Sequence, residues 1–411
     1  MILPLMRTMI VTSLSNFVEL PEEEQKARGL VFTPREIAQQ PKTWETTLAI
    51  FKQNQRRICE FLDSVGVREE LVQRPVVMLI GAGTSDYIGQ ALELLIRQKW
   101  GCEVWTVAST DLLPNLSEYV VPGREYLWIS FSRSGDSPEG VAVLEQAIQL
   151  YPEVAHLVVT CNKNARMTEV CKAAKRSCVV VLDDAVNDRS LAMTSSFTNM
   201  VVMGQCLANA WSIEEYAVVL AQLVRAGEHM LMRAADEAER IAARNFSRVC
   251  FIGGGALESV AKESALKVLE MTAGQVQAMS QTVLGLRHGP MAALDTETLF
   301  VCFVSGDERR AKYACDLLRE IGEKGIVGER VAVGTAAAKA SIAPFCDSYV
   351  ATDDAGDRYG EEAIGDSYLA VVDVIFGQML GLYCSVAHEL QPDSPSPGGV
   401  INRVVQKFRI Y

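Results

Sequence analysis

Residues 75–100, PVVMLIGAGTSDYIGQALELLIRQKW, decide the fold. An unbroken apolar run from Val76 to Ile80 has the length of a strand buried on both faces. Gly81 and Gly83 mark a tight turn, and from Thr84 the apolar residues recur at helical spacing. Working outward, apolar runs at 102–108, 125–132, 155–161 and 177–183 predict four further strands, separated by helix-length segments. Strands alternating with helices predict an α/β fold: a mostly parallel, doubly wound sheet covered on both faces.

The pattern then repeats. In 247–270, SRVCFIGGGALESVAKESALKVLE, laying Gly253 on Gly81 aligns strand, glycine turn and helix. Further on, TLFVCFVSGDERR (298–310) matches YLWISFSRSGDSPE (126–139) in order and character. The copies have diverged where the chemistry would lie. The first keeps GTS and SRSGDS; the second has GAL and VSGDE, with Asp307 and Glu308 after the glycine. One half is expected to hold an anion and the other to do something else.

The duplication organises the chain into a helical N-terminal segment at 1–70, a first half at 71–210, a helical connector at 211–244, a second half at 245–390 and a tail at 391–411. Pro41 interrupts the helical pattern of the N-terminal segment. The tail, rich in Pro and Gly before its last apolar residues, has two readings: a solvated arm, or a segment folded back over a site. The apolar stretch 369–387 carries Asp373 and several small residues, and is expected to be a buried core helix or subunit interface rather than a membrane span.

At 411 residues, two cores are the default. Hydrophobic residues make up 49% and charged residues 22%, as in a globular protein. A net charge of −12 argues against a nucleic-acid platform or an acidic lipid surface, so a small anionic substrate would need its own local donors. Eleven scattered cysteines without a CxxC pair point to a reducing, cytoplasmic setting, and no signal segment opens the chain. The acidic and His residues show no metal-ligand spacing, and neither a complete GxGxxG nor a GxxxxGK[ST] motif occurs, so neither metal nor cofactor is expected.

Small residues between a strand end and a helix leave backbone N–H groups facing outward at the positive end of the helix dipole. Gly81, Gly83, Thr84 and Ser85 form one such edge; Ser132, Ser134, Gly135 and Ser137 form another. Either loop alone could merely cap its helix. Two at corresponding strand ends point to a bound anion. Candidates for acid–base work lie in the second half. Lys267 and Glu270 stand three apart, where they can meet on a helix surface, and His288 sits in a loop before Gly-Pro. His156, His229 and His388 are assigned to packing or capping.

GAGTSDYIG (81–89) and SRSGDSPE (132–139) closely resemble the signature loops of the sugar isomerase (SIS) family. The resemblance implies two duplicated, flavodoxin-like halves that bind a phosphosugar without a cofactor or metal. It implies phosphate contacts from Thr84, Ser85, Ser132, Ser134 and Ser137, with backbone donors near Arg133 and Gly135. The second half is similar to the isomerase half of glucosamine-6-phosphate synthase in carrying a helix Lys, a Glu three residues later, and a His-Gly-Pro loop. That similarity implies Glu270 as the C1–C2 base, Lys267 beside it, and His288 assisting ring opening from across a homodimer. MTSSFTNM (193–200) aligns as well and implies substrate contacts at Thr194, Ser195 and Ser196, although the synthase has Lys where Ser195 stands. Over nearly the whole chain, including PREIAQQPKTW (34–44), RSLAMTSSFTNM (189–200) and PDSPSPGGVINRVVQ (392–406), the sequence most resembles the AgaS group of SIS proteins.

The group resemblance implies conversion of galactosamine 6-phosphate to tagatose 6-phosphate and ammonia, or plain ketose/aldose isomerisation. The chain opens MILPLM, without the early Cys of a glutaminase domain, so nitrogen release is expected rather than nitrogen supply. A non-catalytic phosphosugar sensor is the third reading. It is disfavoured by the joint presence of Glu270 and His288 and by the lack of a basic helical module before Gly81.

Overall fold

The computed structural model describes residues 12–70, 74–354, 364–396, 398–406 and 408–411. Four helices open the chain: α1 (Ser13–Glu19), α2 (Glu22–Arg28), α3 (Thr33–Ala38) and α4 (Gln40–Ser64). Pro41 stands in the first turn of α4, where its missing N–H costs no helical bond, so the break predicted there is the α3–α4 junction.

The first sheet contains β1 (Val76–Gly81), β2 (Val104–Ala108), β3 (Tyr126–Ser132), β4 (Ala155–Thr160) and β5 (Ser177–Val181). These pair in parallel in the order β2-β1-β3-β4-β5. Its crossovers carry α5 (Thr84–Trp100), the short α6 (Ser109–Leu112) and α7 (Leu116–Tyr119), then α8 (Pro138–Leu150) and α9 (Arg166–Cys171). Every residue of β1, β3 and β4 is buried, which is why these strands read as continuous apolar runs rather than alternating ones.

After α10 (Ser195–Ala208) and α11 (Ile213–Ala242), the second sheet repeats the plan with β6 (Arg248–Gly253), β7 (Gln277–Thr282), β8 (Thr298–Phe303), β9 (Glu329–Gly334) and β10 (Ser348–Ala351). Its order is β10-β9-β8-β6-β7, all parallel. Counted from its own first strand, each sheet runs 2-1-3-4-5, so the duplication seen in the sequence is a duplication of topology. The helices here are α12 (Ala256–Met271), α13 (Glu308–Lys324), α14 (Lys339–Ile342) and finally α15 (Asp366–Ala387).

Among the described residues α15 is the one helix long and apolar enough to cross a bilayer, yet its side chains from Leu369 to Ser385 are buried within the protein. One apolar cluster runs from Val77 and Leu79 of β1 through α5, α10, α12 and α15 to Val249 and Phe251 of β6, so the two halves share a core. That continuity holds α5 and α12 side by side and antiparallel, so Lys267 near the end of α12 meets Thr84 at the start of α5, and Lys262 meets Gln90 further along.

Candidate functional site

In an open parallel sheet, ligands bind beyond the carboxyl ends of the strands where the strand order reverses. In the first half that point lies between β1 and β3. A cleft of about 750 Å³ opens there. Its floor is built by the two glycine-containing turns. A Cβ on Gly81 would stand 2.3 Å from the Ser85 carbonyl group, so only glycine lets α5 start this close to its strand. Gly83, with φ 55° and ψ −125°, then turns the chain into α5, and Thr84 and Ser85 follow on its first turn.

The second turn follows β3. Gly135, at φ 63°, is confined by Ala165, whose methyl would lie 2.3 Å from any added Cβ. The Gly135 N–H donates to Ser132 Oγ at 3.0 Å, and the Asp136 N–H donates to Ser134 Oγ at 3.2 Å. Ser137 precedes α8 and its hydroxyl caps none of that helix's N–H groups. Thr84, Ser85, Ser132, Ser134 and Ser137 all line the cleft, so the two loops converge as the sequence pattern predicts. Arg133 is different. Its backbone belongs to the loop, and its guanidinium is taken up by the protein itself, donating to the carbonyls of Ser190, Leu191 and Arg403.

The opposite wall comes from α12 of the other half. Lys267 is fully buried, with Nζ 2.6 Å from Glu270 Oε2, 3.3 Å from Glu263 Oε1 and 3.1 Å from Thr84 Oγ1. The Lys267–Glu270 pair is therefore not the surface ion pair that i, i+3 spacing alone suggests. Burial opposes the ammonium charge, but Glu263 and Glu270 together hold the Lys267 pKa above its usual value. Glu263 is also fully buried, and burial pushes its carboxyl up to about 7 against the pull of Lys267. Among the described residues its Oε2 has no hydrogen-bond partner. Glu270 is the member of the triad that reaches the cleft, where it is partly exposed. The arrangement presents one carboxylate, backed by a buried cation, to whatever the two loops hold.

Thr194, Ser195 and Ser196 are not among the residues that line this cleft, although Leu191 and Met193 just before them are. All three are fully buried at the start of α10. The backbone N–H groups of Thr194 and Ser196 donate to Asp188 Oδ2, at 2.8 and 2.9 Å, and the Ser196 hydroxyl bonds to the same oxygen. Ser195 Oγ donates to the carbonyl of Glu36 and accepts from Gln39 Nε2. The motifs of the N-terminal segment, this loop and the tail thus meet in one buried polar network. Glu36 accepts from Arg189 N–H and from Ser190, and Trp44 Nε1 and Gln40 bind Thr198. Burial, then the neighbouring Asp188 charge, raises the Glu36 carboxyl to about 7.

The tail folds back over the site. Asp393 bonds to the N–H groups of Val31, Phe32 and Thr33, pinning the start of the tail to α3. Residues 399–406 and Phe408 then line the cleft, and Arg403 donates to the carbonyls of Asp188 and Asn187. Of the two readings left open by the tail's composition, the folded-back one is the structure.

His288 is exposed in the loop after β7 and does not line the cleft of its own chain. His156 is buried against Trp128 with both ring nitrogens unpartnered, His229 pairs with Asp354, and His388 ends α15. Sequence reasoning missed two buried carboxylates at or behind the cleft. Glu263 was legible in principle, since Glu263, Lys267 and Glu270 stand at i, i+4 and i+7 on one helix face. Glu139, buried in the cleft with Oε2 unpartnered, has no such signal.

Duplicated 2-1-3-4-5 sheets with an oxyanion cradle at one switch point, faced by a buried Glu–Lys–Glu triad, define a protein of the sugar-isomerase class. No family model matches the chain. Among curated proteins, an AgaS protein of Streptomyces coelicolor is 36% identical, covering 93% of this chain and 95% of its own length. The D-galactosamine-6-phosphate deaminase AgaS of Shewanella sp. (strain ANA-3) is 31% identical, covering 95% of each. The chain belongs to the AgaS family of SIS proteins. Among solved structures, a Clostridium novyi protein of the tagatose-6-phosphate ketose/aldose isomerase group superposes with a TM-score of 0.88 at 29% identity, over 95% of this chain and 97% of that one. The C-terminal domain of the Francisella tularensis glucosamine-fructose-6-phosphate aminotransferase shares the fold, with a TM-score of 0.69 at 20% identity over 88% of this chain and 98% of that one.

Proposed function

We propose that this protein is a deaminating isomerase that converts D-galactosamine 6-phosphate and water to tagatose 6-phosphate and ammonia. The observation that carries the reading is the placement of Glu270, backed by Lys267, in the same cleft as the two hydroxyl-bearing loops. The loops hold the 6-phosphate through Ser132, Ser134, Ser137, Thr84 and Ser85, together with the backbone N–H groups of the Arg133–Gly135 turn. With the sugar ring open, Glu270 removes the C2 proton and returns it to C1, while the aldehyde oxygen gains a proton and the C2 nitrogen loses one, which leaves an alcohol at C1 and an imine at C2. Water adds to that imine, its oxygen becomes the ketone, and the nitrogen departs as ammonia. The Lys267 ammonium, 2.6 Å from Glu270 Oε2, stabilises the negative charge that builds during the transfer.

Ring opening needs a proton shuttle, and the sugar-isomerase resemblance assigns that role to His288. Because His288 is exposed and does not line its own cleft, the reading requires a homodimer in which a second copy supplies it. A cytoplasmic setting goes with this function, in keeping with eleven free cysteines, most of them buried.

The test is ammonia release from purified protein given galactosamine 6-phosphate and, separately, glucosamine 6-phosphate. Ammonia formed in step with ketose phosphate is expected from the galacto sugar. Interconversion of galactose 6-phosphate and tagatose 6-phosphate without ammonia would replace the deaminase with a simple isomerase. Binding without either reaction would leave a sensor.

A further inference from the structure

The second half repeats the glycine turn and the Ser-Gly-Asp run of the cradle, with Phe303 where the first half has Ser132 and without the left-handed backbone of Gly135, yet its anion position is already filled from within. Gly253 excludes a Cβ as Gly81 does, because one would lie 2.0 Å from the Leu257 carbonyl oxygen. Gly255, at φ 61° and ψ −129°, reproduces the backbone of Gly83. In the loop after β8, the Asp307 N–H donates to Ser305 Oγ at 3.1 Å, the counterpart of the Asp136 N–H bond to Ser134 Oγ. Ser305 and Gly306 therefore correspond to Ser134 and Gly135.

In this second loop the donors have an occupant. Ser305 Oγ donates to Asp366 Oδ2 at 2.6 Å, and the Gly306 N–H donates to Asp366 Oδ1 at 3.0 Å. Arg310 completes the shell, with Nη1 3.2 Å from Oδ2. Asp366 opens α15, sixty residues downstream, and a carboxylate there would ordinarily serve its own helix. Instead both oxygens reach across to β8's loop, and the residue is buried. A carboxylate offers two oxygens to these donors much as a phosphate offers two of its three. Beside it lies a cleft of about 320 Å³ at the second sheet's own switch point, lined by Gly254, Gly255, Thr282, Ser305, Arg310 and Tyr313.

We propose that loop 305–307 is a second oxyanion site of the phosphate-binding class, held shut by the Asp366 carboxylate, which stands where a phosphate would. Asp366 thereby restricts each chain to one phosphosugar, seated in the first half opposite Glu270. The occupied loop displays the serine hydroxyl that Ser134 offers in the first half; its glycine N–H reaches Asp366, whereas the Gly135 N–H turns back to Ser132 Oγ.

Equilibrium dialysis with radiolabelled inorganic phosphate counts the sites. Wild-type protein should bind one phosphate per chain, Asp366→Ser two, and Asp366→Ser/Ser305→Ala one again. Asp366→Asn, which keeps the side-chain volume and the start of α15, provides a second way to remove the charge. One site in the folded Asp366→Ser and Asp366→Asn proteins alike would overturn the proposal. So would a phosphate retained by Ser134→Ala/Ser137→Ala protein but lost on adding Ser305→Ala, because the second loop would then be open in the native chain. The first-half cradle is tested separately: if wild type binds none while Asp366→Ser binds one, that cradle is refuted and the second site stands.

Discussion

Replacing Glu270 by Gln separates the chemistry of the cleft from its construction. The amide keeps the shape of the side chain but cannot accept the C2 proton. General acid–base catalysis contributes about 10²–10⁴-fold, so kcat for ammonia release should fall by at least 10²-fold, or about 2.7 kcal/mol of barrier. The phosphosugar Kd should stay within about threefold, because the phosphate contacts form before the proton moves. Fold stability should change little, for a reason specific to the triad. Stranding a buried cation costs about 3–5 kcal/mol, but Lys267 keeps Glu263 at 3.3 Å. The Glu270 charge is one of the causes holding Glu263 near 7, so its removal lets Glu263 ionise more fully and take over the compensation. Glu270→Gln should therefore lose about 1 kcal/mol or less, whereas Glu263→Gln/Glu270→Gln should lose several times more. The assays are ammonia release under saturating substrate, calorimetric binding of galactosamine 6-phosphate, and urea unfolding. Normal turnover by folded Glu270→Gln protein would refute the base assignment. Loss of binding equal to loss of turnover would show that Glu270 holds the substrate rather than transforming it.

Three further outcomes follow from the site and its supports. Ser134→Ala removes a hydrogen bond to a charged phosphate, worth about 1.5–3 kcal/mol, so KM should rise roughly 10- to 150-fold with kcat much less affected, as initial-rate kinetics will report. Arg403→Met releases the tail from the carbonyls of residues 187 and 188; KM should rise by about tenfold and the tail should become sensitive to limited proteolysis, with little change in unfolding midpoint. His156 sits buried and unpartnered, with burial lowering its pKa from 6.5 to about 4. The unfolded chain binds the proton more readily, so this residue's contribution is fully present above pH 6.5 and is lost as pH falls toward 4, amounting to about 2 kcal/mol at pH 5. Glu36 and Glu263, raised to about 7, give the opposite slope over an overlapping window. The comparison that isolates His156 is wild type against His156→Phe, whose stability difference should shift by about 2 kcal/mol between pH 7 and pH 5 in denaturant titrations.

Features that depend on local periodicity were legible in the chain, and those that depend on which distant segments meet were not. The strand–glycine–helix unit at 75–100 and its repeat at 247–270 carry their own geometry, because only glycine permits the helix to start so close to its strand. The hydroxyl pattern of residues 132–137 likewise predicted a loop facing the same cleft as Thr84. For segment 194–196, a run of Thr and Ser looks the same whether its hydroxyls face a ligand or a buried partner, and the packing of α3 and α10 brings Ser195 to Glu36 and Ser196 to Asp188. Arg133 shows the same ambiguity within one residue: its backbone belongs to the cradle while its side chain anchors the tail. Local spacing placed Lys267 and Glu270 on one face but was silent on burial, and burial of Lys267 sets a cation behind the one carboxylate of the triad that reaches the cleft.

The two halves show how a duplicated fold can come to carry one site. Each copy inherited a switch-point cleft, a glycine turn and a loop able to hold an oxyanion. In the first copy the donors face open space, and the neighbouring α12 brings Glu270 and Lys267 against them across the shared core. In the second, α15 sends a carboxylate into the equivalent donors. That internal ion pair ties the start of the central helix to β8's loop, and the same α15 packs along α12, the helix that carries the triad. The anion-binding capacity of the second half thus fixes the placement of the acid–base residues that serve the first. Divergence of VSGDE from SRSGDS did not erase a function; it moved an anion from solution into the chain, where it holds catalytic geometry instead of substrate.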